Sequence, residues 1–439
     1  MVALPVIPIS ADSGFDDPIV KTHRYVATVV AACLLLLLAF SSATSFVQDA
    51  WAPQSFQIGI FAVAAVYLVI GIFGRQQLVT GGVALWLVYL IPVWGLIQIF
   101  AHTTASSSET RTAVLRWGAL AGVFFLTREA ARTRTARRNI LSAFLIFATG
   151  MAVLCLLGLF TTGGKVLWTF PTYFYGVFAT FISHSAYAQF VELALPIALW
   201  RALREGWRSW WNLLSGGILF GSVIGSSSRA GAVLCTAELL AMLVIGLVKL
   251  RDPETGLPSR PMTATLLLVP VLAATFTLAV GWERVWVRLQ QNAPYLTRQE
   301  FLMAAADMAR HRPLTGYGLG TFPEVYPRYA IIDPTIYLYV NHAHNDWAEF
   351  AADGGIPFLL LVLIPFAAAI PAAIRNPWGL GLVAVMLHAC VDFPFFHTGV
   401  PGWMFMLLAL LYMKRTPDEP RQHRTKSAIA AGAPPPGAI

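Results

Sequence analysis

Runs of about twenty apolar residues, separated by short polar stretches, recur along almost the whole chain; a helix of that length matches the hydrocarbon thickness of a bilayer. About twelve such runs can be delimited, at 24–45, 56–73, 78–100, 112–127, 139–160, 180–201, 210–226, 231–249, 262–281, 354–374, 378–394 and 402–414. The pattern predicts an all-α polytopic membrane protein. Only one interval between runs is long, 282–353, between the ninth and tenth. The expected division is therefore nine spans over 1–281, one large and partly helical loop over 282–353, three spans over 354–414, and a disordered tail over 415–439, rich in Ala, Gly and Pro. Long loops in a compact chain usually carry function, so the chemistry is expected in 282–353.

Composition agrees with this pattern. The 439 residues are 57% hydrophobic and 12% charged, about half the charged fraction of soluble domains. That excludes a soluble globular enzyme and a disordered chain. The net charge is +8, but the basic residues form no single patch of the kind nucleic acid would need. Most of the 30 Lys and Arg instead fall in alternate connections, for example Arg75, Arg128 to Arg138, Arg201 to Arg208, Lys249 and Arg375. By the positive-inside bias, those connections and both termini are expected in the cytoplasm, with 282–353 on the opposite side. Cys33, Cys155, Cys235 and Cys390 all lie within apolar runs and read as small hydrophobes.

Six arginines nevertheless occupy the large loop: Arg284, Arg288, Arg298, Arg310, Arg312 and Arg328. They are either solvated surface charge or an anion site, since guanidinium grips phosphate through a permanently charged fork. Thr297 to Glu300 has the form of a capping box, which would put Arg298 in the first turn of an amphipathic helix. The glycines of Gly316-Tyr317-Gly318-Leu319-Gly320 lack dinucleotide-site spacing and are expected to form a turn that lets backbone approach something closely. Arg229 falls in the short junction of the seventh and eighth runs, and Arg116 near the outer end of the fourth. An arginine in either place needs a partner or a wet cavity.

Asn341-His342-Ala343-His344-Asn345-Asp346-Trp347-Ala348-Glu349 leads into the tenth run. If helical, it puts His342, Asp346 and Glu349 on one face and His344 elsewhere. Zinc ligation, structural capping and general acid–base work all fit these residue types. Within the runs, Glu192 follows Tyr187 and could line the same cavity, Glu238 could equally face a cavity or be structurally paired, and His388 and Asp392, one turn apart, are expected to satisfy each other.

Several of these stretches together resemble the O-antigen ligase and O-antigen polymerase superfamily of membrane glycosyltransferases. The matching pieces are Ser228-Arg229-Ala230-Gly231, Arg298 followed by Pro313, Gly316, Gly318, Gly320 and Phe322, His342-Ala343-His344-Asn345 followed by Glu349 and Gly354-Gly355, and His184 to Phe190 before the sixth run. The resemblance covers roughly 170–400. Phe301, Leu302 and Met303 stand where relatives often carry a Trp. It implies a GT-C-like arrangement of twelve helices with one large periplasmic loop in the bacterial inner membrane. It implies, as partners, a donor glycan on undecaprenyl diphosphate, a lipid A–core acceptor and the bilayer, with no metal or other cofactor, and a monomer is expected. Arg229 and Arg298, helped by Arg116, Arg312, Arg284 and Arg288, would bind the diphosphate. His344 would be the base, with His342 or Glu349 orienting it, and Glu192, Tyr187, Asn345 and Asp346 would line the cavity. The shorter chain favours an O-antigen ligase over a protein O-oligosaccharyltransferase. A polymerase of the same superfamily is the nearest alternative, and a polysaccharide transporter a distant one.

Overall fold

The computed structural model describes residues 18–73, 83–171, 178–181, 183–205, 209–250, 260–281, 283, 286–287, 290, 293–330 and 340–413. Arg284, Arg288, the aromatic Tyr173 to Tyr175 and the tail 415–439 lie outside them. Among the described residues, regular structure is helical apart from two isolated bridges, Val166–Phe170 and Phe178–Phe181. The helices are α1 (Pro18–Ala43), α2 (Trp51–Phe73), α3 (Val83–Phe100), α4 (Ser107–Ala130), α5 (Arg134–Thr161), α6 (His184–Glu205), α7 (Trp210–Ser226), α8 (Arg229–Lys249), α9 (Arg260–Val280), α10 (Ala293–His311), α11 (Asp346–Arg375), α12 (Leu380–His388) and α13 (Pro401–Tyr412). A helix overlaps each of the twelve apolar runs, and α10 arises within the long interval. Among the described residues five helices, α1, α2, α5, α8 and α11, are long and apolar enough to cross a membrane; Leu85–Phe100, Leu268–Ala279, Pro377–His388 and Pro401–Tyr412 are shorter apolar helices. The protein is an all-helical, multi-pass membrane protein.

Side-chain caps set several helix starts. The hydroxyls of Ser106, Thr133 and Ser228 and the amide oxygen of Asn345 accept from the backbone N–H three residues on, opening α4, α5, α8 and α11. α6 is apolar on nearly every side and buried along most of its length, as expected of a helix enclosed by others. It packs against α5, α7, α8, α9 and α12. A second packing centre forms around Trp117 of α4, whose ring meets Phe350, Phe358, Phe395 and Phe405. It joins α4 to α11, to α13 and to the segment between α12 and α13.

Two spans differ from expectation. The eleventh run, expected as one helix over 378–394, stops at His388 and is not helical over 389–400. Pro394 disfavours helical backbone at Phe393, and Asp392 finds its partner in another segment (below). At nine residues α12 is about 14 Å long. The tenth span begins earlier than expected, at Asp346, and is broken at Gly355 (φ 71°, ψ 179°). The backbone groups freed by the break are taken up by other segments: Ile356 N donates to Pro313 O at 2.8 Å, and Gly354 O accepts Trp94 Nε1 at 2.9 Å. Non-helical backbone within a membrane bundle requires such replacement partners.

The glycine turn docks into this break. Tyr317 N donates to Ala352 O at 3.1 Å and Gly318 N to Asp353 O at 2.8 Å, while Gly320 N donates to the Asp353 carboxylate at 2.7 Å. Gln98 of α3 bridges the contact, donating to Thr315 O and Asp353 O and accepting from Leu319 N. The close backbone approach expected of the glycines is thus realised against α11. A Cβ on Gly316 would lie 2.3 Å from Asp353 O, at φ +61°. Gly316→Ala should therefore destabilise the protein by about 2 kcal/mol or more, whereas Gly150→Ala, in α5 with nothing within 4 Å, should be neutral or slightly stabilising. Thermal midpoints of the purified variants in detergent check both.

Candidate active site

α12 ends at His388, and the turn that follows takes up carbonyls of its last turn, Ala389 N donating to Val385 O at 2.9 Å and Asp392 N to His388 O at 3.0 Å. Groups from two other segments satisfy the carbonyls that follow. Ala389 O accepts Asp346 N at 3.0 Å, Cys390 O accepts Asn345 Nδ2 at 2.8 Å, and Val391 O accepts Arg298 Nη1 at 2.7 Å. The next residue, Asp392, pairs through Oδ1 with His344 Nδ1 at 3.1 Å. Four successive residues thus hold Arg298 of α10 and the segment before α11 in one place. The expected His388–Asp392 pair does not form, because the helix that would align them one turn apart ends at His388. His388 Nδ1 bonds Glu192 Oε1 of α6 instead, at 2.7 Å.

The expected shared helical face of His342, Asp346 and Glu349 is also absent, since the chain is not helical before Asp346. His342 Nδ1 still reaches Glu349 Oε1 at 2.9 Å, because the chain bends back so that Ala343 N donates to Glu349 Oε2 at 2.7 Å. His344 adopts a left-handed φ of 51°, a conformation that costs of order 1 kcal/mol for a non-glycine residue. Phe301 of α10 stacks on its ring at 6.1 Å and Phe393 meets it edge-on at 4.8 Å. Asn345 is the N-cap of α11, accepting from Ala348 N at 3.0 Å, and the buried Asp346 carboxylate accepts from Phe395 N at 3.1 Å.

Two imidazole–carboxylate pairs therefore lie within three residues of each other. In a neutral imidazole whose Nδ1 donates to the carboxylate, Nε2 carries a lone pair, the arrangement a general base needs. Surroundings distinguish the two. His342 lies between Phe393 and Phe396, both at 4.4 Å, with 22% of its side chain exposed. His344 is 29% exposed and its carboxylate follows directly on the carbonyl that holds Arg298.

The arginines occupy distinct places. Arg298 lies in the second turn of α10, not the first, and the expected capping box does not form: Glu300 is buried and accepts the Tyr326 hydroxyl at 2.9 and 2.8 Å. The helix N-terminus therefore does not add to the charge of Arg298. Arg116 lies well inside α4, with its guanidinium 4.4 Å from the Phe396 ring and within the field of Glu349, Asp353 and Asp346. Arg312 packs on the Tyr317 ring at 4.4 Å and donates to Thr103 O at 3.2 Å. It lies about 20 Å along α10 from Arg298. Arg229 is the first residue of α8, after the two-residue junction Ser227-Ser228. Tyr187 and Glu192 are fully buried in α6, Tyr187 donating to the Ser222 hydroxyl at 2.6 Å. The structure thus brings together His342, His344, Asn345, Asp346, Glu349 and Arg298, with Arg116 behind them, whereas Arg312 stands apart.

The sequence reading missed Asp392 as the partner of His344. The only sequence signal was a carboxylate inside an apolar run, and it pointed equally to His388. Burial opposes ionisation of Asp392, but the His344 hydrogen bond and nearby positive charge, Arg298 included, outweigh it and hold the carboxyl well below the usual range. Burial pushes His397 the other way for an imidazole, down to about 3. Its folded value lies below the unfolded value near 6.5, so its contribution to stability is complete above about pH 6.5 and is lost as pH falls toward 3, at about 1.4 kcal/mol per unit. His397→Phe, which keeps the contact with Phe393 at 4.2 Å, should lessen the fall in thermal midpoint between pH 7.5 and 5.

Among the described residues no group of His, Cys, Asp and Glu gathers in a metal-ligating arrangement. The site sets the His344 imidazole on the Asp392 carboxylate, next to the carbonyl that holds the Arg298 guanidinium. Residues 214–363 match the family described as O-antigen ligase. The matched segment contains Arg229, Arg298, His342, His344 and Glu349, and stops short of Asp392. No curated protein matches the chain.

Proposed function

We propose that the chain, whose residues 214–363 match the family described as O-antigen ligase, is the ligase, joining a glycan from undecaprenyl diphosphate to a sugar hydroxyl of lipid A–core at the periplasmic face of the bacterial inner membrane. The observation that carries this reading is the His344–Asp392 pair, with Arg298 anchored on the adjacent Val391 carbonyl. His344 Nε2 takes the proton of the acceptor hydroxyl as its oxygen attacks the anomeric carbon. The bond from that carbon to the diphosphate oxygen breaks, and its electron pair leaves on the diphosphate. Attack opposite the leaving group inverts the anomeric centre.

Fixed cations aimed at the leaving oxygens stabilise charge that grows only in the transition state. Arg298 supplies one; with one N–H on Val391 O, its remaining N–H groups can face the diphosphate. Arg229 is proposed as the second, at the start of α8. α8 runs close against α6, where a Cβ on Gly231 would lie 2.3 Å from that of Ala188. Arg116 serves as counter-charge to Glu349, Asp346 and Asp353. Arg312, too distant to share a diphosphate with Arg298, would meet the glycan. Glu349 orients His342 and the loop rather than the base itself.

His344→Ala and Asp392→Asn should each lower turnover by about 10² to 10⁴-fold while donor binding persists. Arg298→Ala should abolish transfer at normal protein level, and Arg298→Lys should restore only part of it, because a point charge replaces the fork. Transfer by the purified protein from lipid-diphosphate donor to lipid A–core, followed by gel mobility of the product, measures all four. Full activity of His344→Ala or Arg298→Ala would overturn the mechanism. Because arginines carry the counter-charge, transfer should survive exhaustive chelation. Acceptance of a second lipid-linked repeat in place of lipid A–core would identify a polymerase instead.

A further inference from the structure

The mechanism leaves one buried imidazole–carboxylate pair without a role. Glu192 and His388 are both wholly inaccessible to solvent, and taking two such groups out of water costs free energy that their mutual hydrogen bond at best offsets, so the pair is poor as a source of stability alone. We propose that the Glu192–His388 pair is a positioning device for the transferase site, an inference that rests on the functional reading above. His388 is the last residue of α12. Its ring is tied to α6 through Glu192 Oε1 at 2.7 Å, and its carbonyl accepts both Val391 N at 2.9 Å and Asp392 N at 3.0 Å. One residue therefore connects the central helix to the turn that holds His344 and Arg298. The other end of α12 is seated on the same residue of α6: a Cβ on Gly381 would lie 2.2 Å from Glu192 O. α12 is thus registered on α6 twice through Glu192, by backbone contact near its start and by side chain at its end. A shift of this short helix would move the Val391 carbonyl and the Asp392 carboxylate together, and with them the guanidinium and the imidazole. Neither Glu192 nor His388 needs to touch substrate.

The test uses the full chain in detergent with the lipid-diphosphate donor and lipid A–core acceptor. His388→Leu should lower kcat about 10-fold or more, since misplacement by about 1 Å can cost as much as 10²-fold, while KM for the donor stays within about 2-fold. His388→Asn, whose amide nitrogen stands near the Nδ1 position, should regain most of the loss. In an Asp392→Asn background, His388→Leu should cost less than about 2-fold, because the two changes act through one geometry. Hydrogen exchange gives a readout independent of activity: the Val391 and Asp392 amides should exchange about 10-fold faster in His388→Leu, with α5 unchanged. Folded His388→Leu with wild-type kcat, undiminished multiplication of its effect in the Asp392→Asn background, or unaltered exchange at 391–392 would each overturn the proposal. If His388→Leu does not fold, Glu192→Asp, which withdraws the carboxylate by one methylene, should lower kcat about 3-fold or more, and wild-type kcat there would overturn it equally. An inactive wild-type protein would sink the transferase reading, while the exchange measurement would still decide the positioning role.

Discussion

A helix that stops within a bundle leaves the backbone beyond it without a helical pattern of bonds, and its carbonyls take partners from other segments. In this protein the carbonyls after α12 are satisfied by Asp346, Asn345 and Arg298, and the site follows from that exchange. Arg298 is drawn in from α10, the entry to α11 is drawn in from the chain before it, and Asp392 at the end of the series receives His344. A continuous helix over 378–394 would have satisfied its own carbonyls and left nothing to gather these segments.

The same constraint acts a second time at the break in α11. Gly354 and Gly355 free backbone groups that Trp94 and Pro313 take up, and the glycine turn after α10 docks beside them on Ala352 and Asp353. α10 is thereby fixed at its C-terminal end by the turn and near its start by Arg298. Phe301, one turn after Arg298, is held against the His344 ring. Interruption of helices, ordinarily a liability in a bilayer, here supplies the fixed points on which the polar segment is hung.

Charge is divided between layers. Arg116, inside α4, faces three carboxylates around the entry to α11, whereas Arg298 donates one N–H to a neutral carbonyl and lies within the field of Asp392. The family match covers 214–363 and so includes Arg298 and His344 but neither Asp392 nor the Glu192–His388 pair. The groups proposed to do chemistry lie within the matched segment, and those proposed to hold them lie largely outside it.

Much of the protein was legible in the sequence. A helix among the described residues overlaps each apolar run, because a bilayer admits few alternatives to a helix, but α11 begins at Asp346 and α12 stops at His388, well away from the bounds the runs suggest. Arg298, His344 and Glu349 stood out because charge is scarce in such a chain, and the glycines of 316–320 announced a close backbone approach. Pairing was not legible. Asp392 and His388 lie four residues apart, and local spacing joins them, yet Asp392 bonds His344, which precedes it by 48 positions, and His388 bonds Glu192, 196 positions earlier. The capping box at Thr297 is absent because the helix already begins at Ala293, and Glu300 accepts the Tyr326 hydroxyl. Period and composition determine where a helix forms, because each residue meets the same lipid or the same interior. Which polar group meets which is decided only when helices end and pack, because a buried donor or acceptor takes the nearest partner in space, wherever that partner lies along the chain.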